Sequence, residues 1–167
     1  FDWYRDTKFC GRCGKPMMHS KTERAMHCDC CNYTAYPRIM PAVIVGVTKG
    51  DKILMTKYKG RAYTRYALIA GFVEIGEDAE QTVRREVLEE AGIRVKNIRY
   101  YKSQPWGFDS NLLLGYFCEA DGDDEIVRDE DELSEAIWGT RDMVPDYGEN
   151  LALTHEMMQV FKNNEKF

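Results

Sequence analysis

The sequence predicts an α/β fold preceded by a small cysteine-rich module, and two patterns carry this prediction. Five of the six cysteines lie between Cys10 and Cys31, whereas from Pro41 onward apolar runs of strand length alternate with helical periodicity. Such alternation is typical of α/β folds. The chain has 167 residues, 44% of them hydrophobic, which suits one domain with a substantial core and a small appendage.

The elements of the α/β part are expected in the following order. Apolar runs at 42–48 and 52–58, joined by a turn at 49–51, predict a hairpin. Further strands are expected at 67–72, 98–101, 112–119 and 136–138. Residues 121–132 are acidic and are expected to form a loop. The result is a mixed sheet accompanied by two helices.

Two helices are expected on capping and periodicity. The first runs over 79–91, with Asp78 as its N-cap and Gly92 just past its end. The second closes the chain over 151–161, where apolar residues recur at helical spacing.

Charge and hydropathy exclude several classes of protein. The chain has 23 basic and 28 acidic residues and a net charge of −5, so we expect no binding to duplex nucleic acid. The longest apolar stretch, at about 41–47, is far shorter than the ~18 residues of a membrane span. No secretory leader is visible, and clustered thiols indicate a reducing compartment, so a cytoplasmic location is expected.

The cysteines within residues 1–37 form two Cys-x2-Cys pairs, Cys10 with Cys13 and Cys28 with Cys31, separated by fourteen residues. Two such pairs can supply the four thiolates of a tetrahedral zinc site. Cys30 competes with Cys31, and the symmetric spacing favours Cys31. Four thiolates leave no open coordination position, so the zinc is expected to be structural.

Three carboxylates share one stripe of the first predicted helix. Glu86, Glu89 and Glu90 are spaced i, i+3 and i+4, and like charges at these spacings repel. A bound divalent cation would offset that repulsion, and Arg85 beside the cluster could orient or neutralise one carboxylate. The alternative is a solvated acidic face.

Residues 71–93 carry the pattern Gly-x5-Glu-x7-Arg-Glu-Val-x-Glu-Glu-x-Gly-Ile, which resembles the Nudix box at every fixed position. Nudix hydrolases cleave a nucleoside diphosphate linked to another moiety, and their fold is an α/β/α sandwich around a mixed sheet. The resemblance implies a zinc ribbon over 1–37, a Nudix domain over 38–167, and catalytic roles for Arg85, Glu86, Glu89 and Glu90.

A second motif follows ten residues later. Residues 103–110, SQPWGFDS, resemble the SQPWPFPxS array of the NADH pyrophosphatase subfamily, whose members also carry a four-cysteine ribbon before the Nudix domain. Trp106 and Phe108 offer stacking faces, and Gln104 offers a bidentate amide. The array departs from the family pattern at Gly107 and Asp109. We expect a short form, because only nine residues precede Cys10 where the family commonly has another domain.

The resemblance also implies ligands and substrate contacts. The Mg²⁺ or Mn²⁺ ligands would be Glu86, Glu90, Glu132 and the carbonyl of Ala70, with Glu130 as a competitor for Glu132. The substrate contacts would be Glu23, Tyr36, Phe72, Gln104, Pro105, Trp106, Gly107, Phe108, Asp109, Ser110 and Ala152. Tyr36 would act across the interface of a homodimer.

The expected reaction is hydrolysis of the pyrophosphate of NAD(H) to nicotinamide mononucleotide and AMP, and NAD-capped RNA is a further substrate within this subfamily. One alternative is hydrolysis of another nucleoside diphosphate derivative, such as ADP-ribose, FAD or diadenosine polyphosphate. Another is a ligand-sensing regulator that keeps the Nudix fold.

Overall fold

The structure is a computed structural model that describes residues 2–60, 64–122, 125–146, 148 and 152–166. The chain forms two compact units, Phe1–Ile39 and Met40–Phe167. The predicted domain boundary after residue 37 stays a prediction. Among the described residues, no helix has both the length and the apolar character needed to cross a bilayer.

The first unit is a small antiparallel sheet with a short helix. Its elements are α1 (Asp2–Asp6), β1 (Met18–His19), β2 (Met26–Cys28) and β3 (Tyr33–Ala35), with the strands in the order β1-β2-β3. Cys10, Met17, Met26 and Cys28 form its buried core. Two of those four core residues are cysteines, so the fold of this unit depends on whether their thiols are bound to a metal.

The second unit is built on a mixed sheet. Its strands are β4 (Met40–Lys49), β5 (Lys52–Tyr58), β6 (Ile69–Phe72), β7 (Val95–Trp106), β8 (Asn111–Ala120) and β9 (Leu133–Thr140). The sheet order is β7-β8-β4-β5-β9, and β6 pairs with β4. The pairing of β4 with β8 is parallel and the other pairings are antiparallel.

A helix packs on each face of this sheet. Successive side chains of a strand point to opposite faces, and β4 shows this alternation. Val43, Val45 and Val47 pack with buried residues of α2 (Ala79–Ala91), whereas Ile44 packs with buried residues of α3 (Leu153–Lys162). The predicted α/β/α sandwich around a mixed sheet is therefore confirmed.

The strands after α2 are longer than the sequence indicates. The strand expected at 98–101 is part of the twelve-residue β7, and the strands expected at 112–119 and 136–138 also extend at both ends. β7 is an edge strand with mostly exposed or half-buried side chains, so its polar residues hide its strand character.

The closing helix and the acidic segment also differ in detail from expectation. The helix expected over 151–161 begins at Leu153, and Leu151 lies outside the described residues. The described part of 121–132 is a loop, as predicted, apart from a turn at its end. It docks on the end of α2, because the amides of Val127 and Asp129 donate to the carbonyls of Ala91 and Glu90 at 2.9 Å.

Candidate active site

The helix that carries the three carboxylates is capped at both ends. The Asp78 side chain accepts from the Gln81 amide at 2.7 Å, and the Gln81 side chain accepts from the Asp78 amide at 2.9 Å, which completes a capping box. Gly92 ends the helix with φ 71°, a left-handed conformation that glycine adopts without strain. The start and end of α2 therefore fall where the sequence predicts them.

Strand β6 passes very close to this helix at Gly71. A Cβ atom on residue 71 would overlap the carboxyl group of Glu86. A larger residue at position 71 would therefore displace the Glu86 carboxyl group, and glycine leaves room for it. This approach brings the strand residues that flank Gly71 up to the carboxylates of the helix.

Arg85 connects this strand, the following loop and the helix. Its guanidinium donates to both carboxylate oxygens of Glu77, at 2.7 and 2.9 Å, and to the Phe72 carbonyl at 2.9 Å. It also donates to Glu86 at 2.7 Å and to Glu89 at 3.0 Å. The predicted neighbour of the carboxylate cluster is thus its hydrogen-bonding centre, and it offsets part of the local negative charge.

Glu77 belongs to this network, although it is not among the site residues predicted from the sequence. The Arg85 contacts outweigh the cost of burial and, with the Glu74 amide and the Thr82 hydroxyl, lower the pKa of Glu77 to about 2. The carboxylate is therefore ionised and committed to Arg85. Glu77 occupies a fixed position of the Nudix box, and this position could have identified it as a site residue from the sequence.

Glu86 has the opposite environment. Its side chain is only 12% exposed. Burial raises the pKa of Glu86, Arg85 opposes this effect, and the charges of Glu89 and Glu132 add to it. A cation beside Glu86 would reverse the unfavourable effect of these neighbouring carboxylates.

Glu90 is the most buried carboxylate of the described residues, at 2% exposure. Its Oε1 lies 3.4 Å from the hydroxyl of Tyr58. The same hydroxyl accepts from the Ala70 amide at 2.9 Å and lies 3.5 Å from the Ala70 carbonyl oxygen. The Tyr58 hydroxyl is thus a shared neighbour of Glu90 and the Ala70 carbonyl. Tyr58 was not predicted from the sequence, because a tyrosine at a strand end carries no motif.

The donor atoms here suit a hard divalent cation. Carboxylate and carbonyl oxygens are preferred by Mg²⁺ and Mn²⁺. In the described part of the chain, no three carboxylates are gathered around one point as the four cysteines are. Mg²⁺ is usually held through one or two carboxylates and completed by water and substrate oxygens, so this arrangement suits it.

An aromatic surface lies at the end of the sheet where β4 begins. Trp106 and Phe108, at the turn between β7 and β8, have ring centroids 5.4 Å apart. Phe108 is 84% exposed, and Phe72 at the end of β6 is 53% exposed. The pairing of Phe72 with Ala42 and of β4 with β8 places both aromatic groups at this end. Flat apolar rings that stay exposed are suited to stacking against a base or a nicotinamide.

The other residues of the SQPW array are also at this turn. Pro105, Gly107, Asp109 and Ser110 are all exposed. Gln104 is half-buried, and its Oε1 accepts from the Leu153 amide at 2.8 Å, next to Ala152 at the N-cap of α3. The side-chain oxygen of Gln104 is therefore already hydrogen-bonded within the chain. The same contact places Ala152 beside the array.

Asn111 is a further residue that the sequence analysis missed. Counting along the SQPWPFPxS pattern from Ser103 places its ninth position at Asn111, so the motif itself was the available signal. Asn111 pairs with Trp106 across the hairpin. Its Oδ1 is buried and has no hydrogen-bond partner in the part of the chain that the structure describes.

Two predicted substrate contacts lie in the first unit. The Tyr36 hydroxyl donates to Glu23 Oε1 at 3.3 Å, and the Glu23 charge raises the pKa of Tyr36. Tyr36 is 55% exposed. The pair forms a polar aromatic surface on the ribbon, and its role toward a substrate stays a prediction.

The first unit also contains the expected thiol group. The Sγ atoms of Cys10 and Cys31, and those of Cys13 and Cys28, lie 3.6 Å apart, and all four Sγ atoms lie within 4.8 Å of one another. Tetrahedral zinc with bonds of about 2.3 Å needs sulfur atoms about 3.8 Å apart, so the four residues fit a structural zinc. Cys30 is exposed and lies outside the group.

Comparison with known families and proteins agrees with this geometry. A family model described as "NUDIX domain" matches residues 38–159, and one described as "NADH pyrophosphatase zinc ribbon domain" matches residues 5–36. Proteins named NAD-capped RNA hydrolase NudC, from Citrobacter koseri and Salmonella heidelberg, are 47% identical to this chain over 144 residues. The match covers 86% of this chain and 56% of each relative, so the chain spans about half their length.

Solved structures show the same fold. A NUDIX hydrolase from Nitrosomonas europaea has a TM-score of 0.80 at 21% identity, covering 95% of this chain and 92% of its own. A MutT NUDIX hydrolase from Burkholderia pseudomallei has a TM-score of 0.57 at 18% identity, covering 76% of this chain and 98% of its own. At these identities the likeness establishes the fold alone.

Proposed function

Since this chain belongs to the Nudix hydrolase family, with an NADH pyrophosphatase zinc ribbon before its Nudix domain, we propose that it hydrolyses the pyrophosphate of NAD(H) to nicotinamide mononucleotide and AMP. The catalytic ion is Mg²⁺ or Mn²⁺. Relatives of this chain are named NAD-capped RNA hydrolases, so the 5′ NAD cap of an RNA is a second proposed substrate. The proposed state is a cytoplasmic homodimer, as the subfamily resemblance implies.

The observation that carries this proposal is the oxygen group at the meeting point of β6 and α2. Glu90 is 2% exposed, shares Tyr58 with the Ala70 backbone, and lies on the same helix as Glu86. A buried carboxylate is costly in a protein unless a cation or hydrogen bonds compensate it. Its burial here supports a metal-binding role over a solvated acidic face.

The residues that would hold the ion are Glu86, Glu90, Glu132 and the Ala70 carbonyl. When bound, a divalent ion stabilises charge on the pyrophosphate oxygens and lowers the pKa of a coordinated water. Glu132 is supported over Glu130 because its charge acts on Glu86, whereas Glu130 pairs with Arg128 at 3.6 Å.

Other side chains of the protein would position the carboxylates, accept the proton of the attacking water and stack on the substrate. Arg85 holds Glu86 and Glu89 through one guanidinium nitrogen, so it fixes both carboxylates relative to the strand backbone. The Glu89 side chain is 59% exposed and can accept a proton from an attacking water. Trp106, Phe108 and Phe72 would stack on the flat groups of the dinucleotide.

The turn between β7 and β8 leads to a second class of substrate. Gly107 and Asp109 replace two rigid positions of the SQPWPFPxS pattern, so the array that would recognise nicotinamide differs from that of the subfamily. ADP-ribose, FAD and diadenosine polyphosphates are therefore alternative substrates of the same chemistry. The regulator alternative is not favoured, because the family and the relatives are hydrolases.

Product analysis tests the proposal. The protein would be incubated with Mg²⁺ or Mn²⁺ and, separately, with NADH, NAD, ADP-ribose and FAD, and the products separated by chromatography. We expect AMP and reduced nicotinamide mononucleotide from NADH. Faster hydrolysis of ADP-ribose or FAD would contradict the proposed substrate and retain the proposed chemistry.

The Glu90→Gln substitution tests the metal site. It removes a ligand charge at nearly constant volume, and we expect kcat/KM to fall roughly a hundredfold to a thousandfold, as for loss of one transition-state-stabilising group. Glu80→Gln, an exposed substitution on the same helix, is the matched control and should keep full activity. Full activity of Glu90→Gln would show that the proposed site is wrong.

A further inference from the structure

Tyr58, the last residue of β5, contacts two residues proposed to hold the divalent ion. Its hydroxyl oxygen accepts from the Ala70 amide at 2.9 Å. The same oxygen lies 3.4 Å from Glu90 Oε1 and 3.5 Å from the Ala70 carbonyl oxygen. One phenol group is therefore in reach of both proposed ligand oxygens.

The strand geometry explains why the phenol reaches this place. Ala70 lies opposite Ile44 in the pairing of β6 with β4. The N–H and C=O of one strand residue point to the same side of the strand. Since the Ala70 amide donates to Tyr58, the Ala70 carbonyl also points toward Tyr58 and away from β4.

An irregularity in the neighbouring strands sets the direction of the Tyr58 side chain. The pairing of β5 with β9 shifts register between Lys57 and Tyr58. Lys57 is opposite Glu135, but Tyr58 is opposite Leu133, so Ser134 is the extra residue. Such a bulge re-aims the side chains beside it.

The hydroxyl proton is the means by which Tyr58 acts on the ligands. A phenol has one proton to donate, and its oxygen accepts from the Ala70 amide; of the acceptors in the described part of the chain, Glu90 Oε1 and the Ala70 carbonyl oxygen lie within reach of that proton. Glu90 is nearly inaccessible to water, so a hydrogen bond to it is stronger than one at the surface.

We propose that Tyr58 is a positioning residue whose hydroxyl fixes the Ala70 carbonyl and the Glu90 carboxylate relative to each other and so raises the affinity for the divalent ion. This inference rests on the proposed function, because it requires that these two oxygens bind the metal. Groups that orient metal ligands from outside the coordination shell typically contribute tenfold to a hundredfold to metal affinity.

The test measures Mn²⁺ affinity directly, by titration calorimetry or by the electron paramagnetic resonance signal of free Mn²⁺, without substrate. Tyr58→Phe removes the hydroxyl and keeps the ring, and we expect the Kd for Mn²⁺ to rise roughly tenfold or more. At saturating Mn²⁺, hydrolysis by this variant should recover most of its kcat. A purely structural role would instead lower the melting temperature without this dependence on metal concentration.

Tyr101→Phe is the matched control. The Tyr101 hydroxyl also donates to a carboxylate, Glu156 at 2.9 Å, but it contacts neither Ala70 nor Glu90. Its Mn²⁺ affinity should equal that of the unsubstituted protein. If Tyr58→Phe is not recovered folded, O-methyltyrosine at position 58 removes the same proton and should also weaken Mn²⁺ binding.

The two proposals fail in different ways. If the unsubstituted protein binds Mn²⁺ and Glu90→Gln weakens that binding, but removal of the Tyr58 hydroxyl does not, the role of Tyr58 is refuted and the proposed function stands. If Glu90→Gln leaves Mn²⁺ binding unchanged, or the unsubstituted protein binds none, the role of Tyr58 is refuted, and the product analysis decides the proposed function separately.

Discussion

Glu86 and Glu77 are neighbours of the same arginine, yet their protonation equilibria move in opposite directions. Glu77 receives two guanidinium contacts and a hydroxyl, and its pKa falls to about 2. Glu86 shares one guanidinium nitrogen with Glu89, is half-buried, and its pKa rises. Glu77 therefore suits a structural role, whereas Glu86 suits the binding of a cation.

The identity of the distal ligand can be tested at this scale. Glu132→Gln removes the carboxylate that acts on Glu86, so we expect the Mn²⁺ concentration for half-maximal activity to rise at least roughly tenfold. Glu130→Gln alters an exposed residue paired with Arg128 and should change this value little. The opposite ranking in metal-dependence curves of the two variants would assign the role to Glu130.

Single residues were the hardest part to predict from sequence. The acidic stripe of α2 follows from helical spacing, and the box resemblance assigns its role. Tyr58 could not be found in this way, because its contact with Glu90 depends on a register shift between β5 and β9. The use of the Gln104 oxygen by α3 was equally hidden, since it joins residues 49 positions apart.

At the scale of the elements, the connection between β6 and α2 is the best-defined part of the site. Arg85 and Glu77 join the strand end, the loop and the helix, and the capping box fixes where the helix begins. The sequence predicts this region correctly because its signals are local: an N-cap, a glycine at the helix end, and a glycine at a close approach. Strand β7 lacks such signals, since its edge position permits polar residues throughout.

The Glu77–Arg85 contact should make stability depend on pH. The pKa of Glu77 is lowered from 4.5 to about 2, so its ionised form stabilises the folded state above about pH 4.5, and this contribution is lost as the pH falls toward 2. We therefore expect Glu77→Gln to be less stable than the unsubstituted protein at pH 6, with the difference shrinking at lower pH. Urea unfolding at pH 6, 4 and 3 measures it.

Arg85→Gln provides the control for this prediction. In that background the Glu77→Gln substitution should have much less effect at pH 6, because the partner of the carboxylate is gone. Both proteins in each comparison have the same ribbon, so loss of metal at low pH affects them alike. A pH-independent difference would contradict the assignment of the contact as an ion pair.

At the scale of the whole molecule, two units depend on different sources of stability. The Nudix unit has two apolar clusters, one on each face of its sheet. The ribbon has a core of four buried residues, two of them zinc-ligand cysteines. So small a core is insufficient without a metal or another cross-link.

Zinc removal should therefore unfold one unit and spare the other. We expect Cys31→Ser to lose bound zinc and to become susceptible to proteolysis within the ribbon, while the Nudix unit keeps its melting transition. Cys30→Ser changes the adjacent exposed cysteine and should keep one zinc per chain. Metal analysis by mass spectrometry, followed by limited proteolysis, compares them. Zinc loss from Cys30→Ser alone would contradict this ligand set.

The hydrogen bond from the Leu153 amide to Gln104 has a consequence for protein engineering. A chimaera that exchanges the β7–β8 turn from position 104 onward, in order to change substrate preference, would also exchange the Gln104 side chain. This side chain is the acceptor for the Leu153 amide at the start of α3. A donor loop without a suitable acceptor at position 104 would leave that amide unsatisfied, at a cost of about 1 kcal/mol or more. Grafts designed as loop replacements alone would thus lose stability for a reason unrelated to the substrate.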